Sequence, residues 1–160
     1  MDYDSIARSY NELHREEQLK KLEIVKKYLK INKNTKLLDI GCGTGISTNF
    51  FNCKTTGIDP SKEMIKQGKG NLLIGNAENL PFINNSFDVV ISVTAIHNFK
   101  DYKKAIKEMK RVLKSNGTIV ITLLKKAKKY KEIKSYLEKQ FKLKAIDSEK
   151  DTIFMAKNVK

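Results

Sequence analysis

The sequence predicts an α/β domain in which a mostly parallel sheet carries helices on both faces and ends in an antiparallel hairpin. Three observations predict it. From Lys36 to Lys139, short apolar β-branched runs alternate with amphipathic stretches, the pattern of strands joined by crossover helices. Phe87 to Val93 (Phe-Asp-Val-Val-Ile-Ser-Val) is rich in β-branched residues and apolar at all but Asp88 and Ser92, as a strand buried on both faces should be. Near the C-terminus the polar turn Ser148-Glu149-Lys150 separates two short apolar runs at hairpin spacing. At 160 residues and 18.3 kDa the chain suits one domain with a sizeable core and is too short for a second, substrate-binding domain.

The elements follow in order. Asp2 to about Ile31 is helical in pattern: Ile6, Tyr10 and Leu13, then Leu19, Leu22, Val25 and Leu29, recur at three or four residues. Thr35 to Ile40 reads as a strand running into the glycine loop Gly41-Cys42-Gly43-Thr44-Gly45, and a short helix follows from Ile46 to Phe51. Lys54 to Ile58 is a second strand, after which Ser61 caps a helix. Asn71 to Ile74 is a third strand and Phe87 to Val93 a fourth. Asp101 to Leu113 is an amphipathic helix that presents Ala105, Ile106, Met109, Val112 and Leu113 inward and stops at Ser115-Asn116-Gly117. Thr118 to Leu124 is the fifth strand, Ala127 to Lys139 a helix, and Phe141 to Ile146 and Thr152 to Ala156 the hairpin.

In such a sheet a ligand sits beyond the carboxyl ends of the strands, beside the first. The glycine loop falls there, and glycines let the backbone approach a ligand closely. Asp59, ending the second strand, is placed to accept hydrogen bonds from both hydroxyls of a ribose. These features fit any nucleoside cofactor, and spacing separates them. A dinucleotide site expects Gly-x-Gly-x-x-Gly around a pyrophosphate. Here the run is Gly41-x-Gly43-x-Gly45, with Asp39 two residues before it. A carboxylate there repels pyrophosphate and suits an ammonium, as at the methionine end of S-adenosylmethionine.

Leu37-Leu38-Asp39-Ile40-Gly41-Cys42-Gly43-Thr44-Gly45, Gly57-Ile58-Asp59-Pro60-Ser61, Asn76-Ala77-Glu78-Asn79-Leu80-Pro81-Phe82, Phe87-Asp88-Val89-Val90 and Arg111-Val112-Leu113-Lys114-x-x-Gly117 stand in order along the chain. In these the chain resembles the class I S-adenosylmethionine-dependent methyltransferases, and among them the small methyltransferase-domain proteins akin to the ubiquinone and menaquinone biosynthesis enzymes. The resemblance covers about Tyr3 to Leu124. It implies a Rossmann-like seven-stranded sheet in the order 3-2-1-4-5-7-6 with the last antiparallel, and S-adenosylmethionine as cofactor. It also implies one domain over residues 1–160, with N-terminal lid helices over 1–31 and a cofactor-binding core over 35–160. By the same resemblance Asp39 and the backbone of Gly41, Cys42, Gly43 and Gly45 would hold the methionine moiety, and Asp59 the ribose. Ile58 and Pro60 would flank the adenine, whose edge Asn76 and the Ala77 N–H would read. The family usually has Asp at the position of Asn76, whose carbonyl can still accept from the adenine amine. Ser92 would lie on the cofactor's floor, and Tyr3 and Tyr10 would close over it as a lid.

His97, in Ala95-Ile96-His97-Asn98-Phe99 just beyond the fourth strand, stands where a methyl acceptor would enter, with a pKa suited to a general base. Lining the pocket or ordering the loop is its other reading. His14, on the N-terminal helix, reads as chemically idle. Cys42 and Cys53 show no metal-ligand or disulfide spacing and read as small buried residues; no metal is expected. The acidic start Met1-Asp2-Tyr3-Asp4, with no apolar run behind it, points to a cytoplasmic protein, and no stretch could span a bilayer.

Net charge is +14, from 29 Lys and 3 Arg against 18 acidic residues. Residues 100–144 carry 16 basic and 4 acidic side chains, whereas residues 1–99 carry 13 and 11. The lysine-rich stretch 125–134 directly follows the fifth strand and would border the acceptor site, which favours an anionic acceptor such as RNA; the segment around His97 is also similar to that of tRNA wobble-uridine methyltransferases. A lysine-rich proteome with a small-molecule acceptor gives the same composition. A non-catalytic cofactor-binding subunit is the third reading. An oligomer or a small activating partner could complete so short an acceptor site.

Overall fold

The structure, a computed structural model, describes residues 3–157 and 159, with side chains from Glu12 onward. Helix α1 (Tyr3–Tyr28) precedes β1 (Lys36–Ile40), α2 (Ile46–Phe50), β2 (Lys54–Asp59), α3 (Lys62–Gln67), β3 (Leu72–Ile74) and β4 (Phe87–Val93). A 3-10 turn (Ile96–Asn98), α4 (Tyr102–Val112), β5 (Leu113–Leu124), α5 (Tyr130–Gln140), β6 (Lys144–Asp147) and β7 (Asp151–Lys157) complete the chain. The seven strands form one sheet in the order β3-β2-β1-β4-β5-β7-β6. β1 to β5 pair in parallel, and β7 runs antiparallel to both β5 and β6. The strand order reverses between β1 and β4, which opens a crevice beyond their carboxyl ends.

Alternation along the strands divides the core into two layers. On one face Leu22 and Val25 of α1 pack with Leu37, Val89, Ile91, Val120 and Ile153. On the other, Ala105, Ile106, Met109 and Val112 of α4 and Ile133 and Leu137 of α5 cover Leu38, Ile40, Val90, Ile119 and Ile121. The pleat sends neighbouring residues of one strand to opposite layers, so β1 and β4 must be apolar almost throughout.

Several boundaries differ from the sequence expectation. The N-terminal segment is one continuous helix rather than several, and its periodic Leu13 is 56% exposed because the first half of α1 overhangs the strand ends. The chain passes from α4 into β5 at Leu113, ahead of the expected turn. Leu113 pairs with Phe87 and Thr118 with Val89, so 114–117 bulges out opposite the single residue Asp88. Helix α5 starts at Tyr130 instead of Ala127, because successive turns (Ala127 N–H to Leu124 O, Tyr130 N–H to Ala127 O) occupy 125–129. β6 starts at Lys144, since Phe141 still bonds the last turn of α5 and buries its ring in the core. Cys42 is buried as expected, but Cys53 is only half-buried.

Candidate active site

The glycine loop joins β1 to α2. Gly41, Gly43 and Gly45 have φ of 77°, 56° and 91°, a left-handed backbone that side chains resist. A Cβ on Gly41 would come 2.6 Å from the Ala95 Cβ, so only glycine lets this loop meet the loop after β4. At Gly43 nothing lies within 4 Å of a built Cβ, and its backbone faces a cavity of about 540 Å³. That cavity is bounded by the loop, Ser47, Val93 and Thr94 below and by Glu12, His14, Arg15 and Gln18 of α1 above. Tyr3 and Tyr10 lie on α1, but their side chains fall outside the described residues.

Asp39 is fully buried beneath the loop. Its Oδ2 accepts from the Ser47 hydroxyl at 2.6 Å and the Thr48 hydroxyl at 2.8 Å. Its Oδ1 has no hydrogen-bond partner among the described residues. Burial dominates over these two bonds and pushes the carboxyl up from 3.8 to about 6. An orphaned carboxylate oxygen under a bare-backbone loop fits an ammonium group. The Cys42 thiol, in the same loop, is pushed up to about 12, chiefly by burial, and is therefore a poor nucleophile at neutral pH.

Asp59 ends β2 beside the loop. Its Oδ2 accepts from the Gly43 N–H at 3.0 Å and its Oδ1 from the Ser61 N–H at 2.9 Å, so each oxygen retains a lone pair for a further donor. Pro60 and Asn76 are exposed, and Ala77 is 6% exposed at the core's edge. Ile58, placed against the adenine by the resemblance, is 1% exposed and packs in the core with Leu38 and Ile40, which leaves no open face for a ring. Ser92 is fully buried on β4, its hydroxyl unpartnered among the described residues.

A second cavity of about 410 Å³ adjoins the first, and the two share His14, Gln18 and Thr94. His97 lines it, with a buried Nδ1 that lacks a partner among the described residues. Burial holds the imidazole below its usual pKa while Asp151 pulls the other way, so the ring is neutral at neutral pH.

Sequence reasoning missed the rest of this wall. His14, read as idle, borders both cavities, with its Nε2 3.4 Å from the Gln18 Nε2. Lys21 of α1 donates to the Thr94 hydroxyl at 2.5 Å, which donates to Asp151 Oδ2 at 2.8 Å. The Lys21 ammonium also lies 3.0 Å from Asp151 Oδ1, an ion pair without good hydrogen-bond alignment. Thr94 has φ 52°, which the Thr94 N–H bond to the Thr122 hydroxyl helps to hold. No motif announces this cluster. Its only sequence signal is a strand-end threonine where the chain must turn sharply.

Together these features describe an α/β domain with two adjoining cavities beside the glycine loop and the loop after β4. Residues 38–121 match the family described as "Methyltransferase domain", and the chain belongs to that family. It is 38% identical over 127 residues to an uncharacterized protein of Methanocaldococcus jannaschii, covering 76% of this chain and 49% of that one. Over 110 residues it is 40% identical to the demethylmenaquinone methyltransferase of Staphylococcus aureus, covering 60% and 46% respectively. The chain therefore spans about half the length of the curated relatives it matches. Among solved structures, an S-adenosylmethionine-dependent methyltransferase of Thermotoga maritima superposes with a TM-score of 0.74 at 22% identity, over 98% of this chain and 96% of that one. At that identity the likeness is one of fold, and the expected strand order is the one observed. S-adenosylmethionine is the cofactor that the domain and fold imply. Among the described residues no helix is long and apolar enough to cross a membrane.

Proposed function

We propose that the protein transfers a methyl group from S-adenosylmethionine, by direct in-line displacement, to an acceptor held beside His97. The observation that carries this reading is the junction of the two cavities at His14, Gln18 and Thr94, which would set donor and acceptor face to face. When bound, S-adenosylmethionine supplies a methyl group already activated on a sulfonium, so the protein's main task is alignment. In this reading Asp39 and the glycine loop hold the methionine end and Asp59 the ribose. Pro60, Asn76 and Ala77 border the adenine, Ser92 lies beneath the cofactor, and Ile58 serves the core. Residues 1–160 act as one domain with α1, including Tyr3 and Tyr10, as its lid. His97, neutral and lining the second cavity, accepts the acceptor's proton.

The cavity beside His97 has room for a small acceptor or one aromatic ring. The demethylmenaquinone methyltransferase among the relatives supports a small-molecule acceptor, and the charge of residues 100–144 supports a polyanionic one. The two free cysteines fit a reducing compartment, the cytoplasm.

Calorimetry with S-adenosylmethionine tests the cofactor half of the reading, and its failure would end it. Radiolabelled methyl transfer into fractionated cell extract tests the other half; binding without transfer to any fraction would favour a non-catalytic partner subunit. Asp59→Ala should weaken cofactor binding by about 1–3 kcal/mol through lost charge-assisted hydrogen bonds, and full affinity would show the ribose assignment to be wrong. His97→Ala should leave cofactor affinity unchanged and slow transfer by about 10²- to 10⁴-fold. Transfer at the wild-type rate would reduce His97 to a lining residue.

A further inference from the structure

Helices α4 and α5 lie side by side on one face of the sheet. The Tyr102 and Tyr136 rings meet edge-on at 5.7 Å, the Tyr102 hydroxyl donates to Glu132 at 2.7 Å, and Lys110 Nζ reaches the Gln140 carbonyl at 3.4 Å. Residues 100–144 hold 16 basic and 4 acidic side chains; α4 and α5 themselves carry eight basic and three acidic ones, while Lys114 pairs with Asp88, Lys125 with Asp147, and Lys144 lies over Tyr28 of α1. The acids are already engaged. Asp101 caps α4, Glu108 is tied to Arg111 and the Leu80 N–H, Glu132 accepts from Tyr102, and Glu138 lies 4.0 Å from Lys134. Exposed lysines such as Lys104, Lys107, Lys128 and Lys131 have no carboxylate within ion-pair distance among the described residues.

A lysine-rich composition does not produce this pattern by itself. Residues 1–99 balance 13 basic with 11 acidic side chains, so what singles out the α4–α5 face is its lack of free acids. The chain also joins this face to the cavity beside His97. Two residues that line the cavity, Asn98 and Leu124, each lie within two positions of an exposed lysine, Lys100 and Lys126.

We infer that the α4–α5 face docks a single polynucleotide strand through its phosphates and leads one nucleotide toward the cavity beside His97. Ammonium groups on flexible stems are suited to tracking a phosphate backbone without reading sequence. A single strand leaves its bases free to enter a pocket. A bilayer fits the face poorly, because the large exposed apolar residues (Leu13, Tyr28, Met64, Leu73, Ile74 and Ile83) all lie outside α4 and α5. The inference deepens the methyl-transfer reading and rests on it for its purpose, since the strand would carry the acceptor atom.

The test uses the full chain and fluorescent 20-nucleotide RNA and DNA strands of one mixed sequence, titrated across salt concentrations. Substituting Gln for Lys104, Lys107, Lys128 and Lys131 together should weaken binding about tenfold or more at 0.1 M salt. The slope of log affinity against log salt should become shallower by about 3, four phosphate contacts at roughly 0.7 each. A control with the same charge change at exposed residues elsewhere, Lys27, Lys33, Lys62 and Lys66, should keep near-wild-type binding. Tighter binding of RNA than DNA would identify RNA as the strand, and equal binding would support the phosphate surface alone. The inference is overturned if the wild type binds neither strand, if the control loses as much as the test variant, or if phosphatidylserine vesicles bind and the strands do not. S-adenosylmethionine calorimetry on the same proteins separates the two failures: cofactor binding without strand binding sinks this inference alone, and strand binding without cofactor binding sinks the methyl-transfer reading.

Discussion

Asp39→Asn is expected to make the protein more stable at neutral pH and to deprive it of its cofactor. The carboxyl is fully buried, has hydroxyl donors on Oδ2 only, and is pushed from 3.8 up to about 6, mainly by burial. The folded state thus favours the protonated form. The resulting cost is absent below about pH 4, grows as pH rises from 3.8 to about 6, and is fully present above that. Asn removes it, and its carbonyl can keep both hydroxyl donors. The amide nitrogen left without an acceptor takes back about 1–3 kcal/mol. A net gain of about 1 kcal/mol, or a Tm rise of about 2–4 °C, is the expected balance. Cofactor binding should move the other way, at least about tenfold weaker, because a neutral amide cannot pair with an ammonium. The wild type supplies a companion test. An ammonium bound at Asp39 would hold the carboxylate ionised, so binding near pH 5 should release a proton, and affinity should fall as pH drops below about 6. Calorimetry at pH 5 in two buffers of different ionisation enthalpy reads that proton directly. No release, together with full affinity in Asp39→Asn, would remove Asp39 from the cofactor site.

What the sequence shows of this site is what the backbone demands. Gly41, Gly43 and Gly45 are legible because a left-handed loop at a strand's end excludes side chains, and Asp39 and Asp59 are legible because they sit at fixed distances from it. Alternating elements and right-handed crossovers make the parallel sheet legible, while its strand order comes from the resemblance. The wall of the cavity beside His97 is different. Lys21, Thr94 and Asp151 meet only in space, 73 and 57 residues apart along the chain, and Lys21 is one of 29 lysines. His14 was lost for a related reason. Helical periodicity marks the face of α1 that meets the sheet at Leu22 and Val25, but it says nothing about where the helix outruns the sheet and begins to roof a cavity. Boundaries failed where tertiary pairing overrode local preference. Leu113 continues the apolar stripe of α4, yet pairing with Phe87 draws it into β5.

Lys21→Met is the second large effect, and it separates a buried latch from a surface one. Two cationic contacts tie α1 to the start of β7 and the residue before it. Lys150 meets Glu17 in the open, with both side chains at least 30% exposed. Lys21 meets Asp151 with 9% and 1% exposure, joined by Thr94. Water screens the first pair, and holding two long side chains together offsets much of its attraction. Lys150→Met should therefore leave the Tm unmoved. Removing the Lys21 ammonium strands a carboxylate with almost no access to water, a change that costs about 3–5 kcal/mol, or about 6–20 °C in Tm. Replacing both partners, as Lys21→Met with Asp151→Leu, should recover most of that loss, because the penalty comes from the unpaired charge rather than from an absent attraction. If S-adenosylmethionine binds against the glycine loop as proposed, the single variant should also bind it more weakly, since Glu12, His14, Arg15 and Gln18 of the same helix line the cavity there. A single variant that melts within a degree of wild type would show that the pair does not hold α1. A double variant as unstable as the single one would show instead that Thr94, strained at φ 52°, needs the Asp151 carboxylate for its own sake.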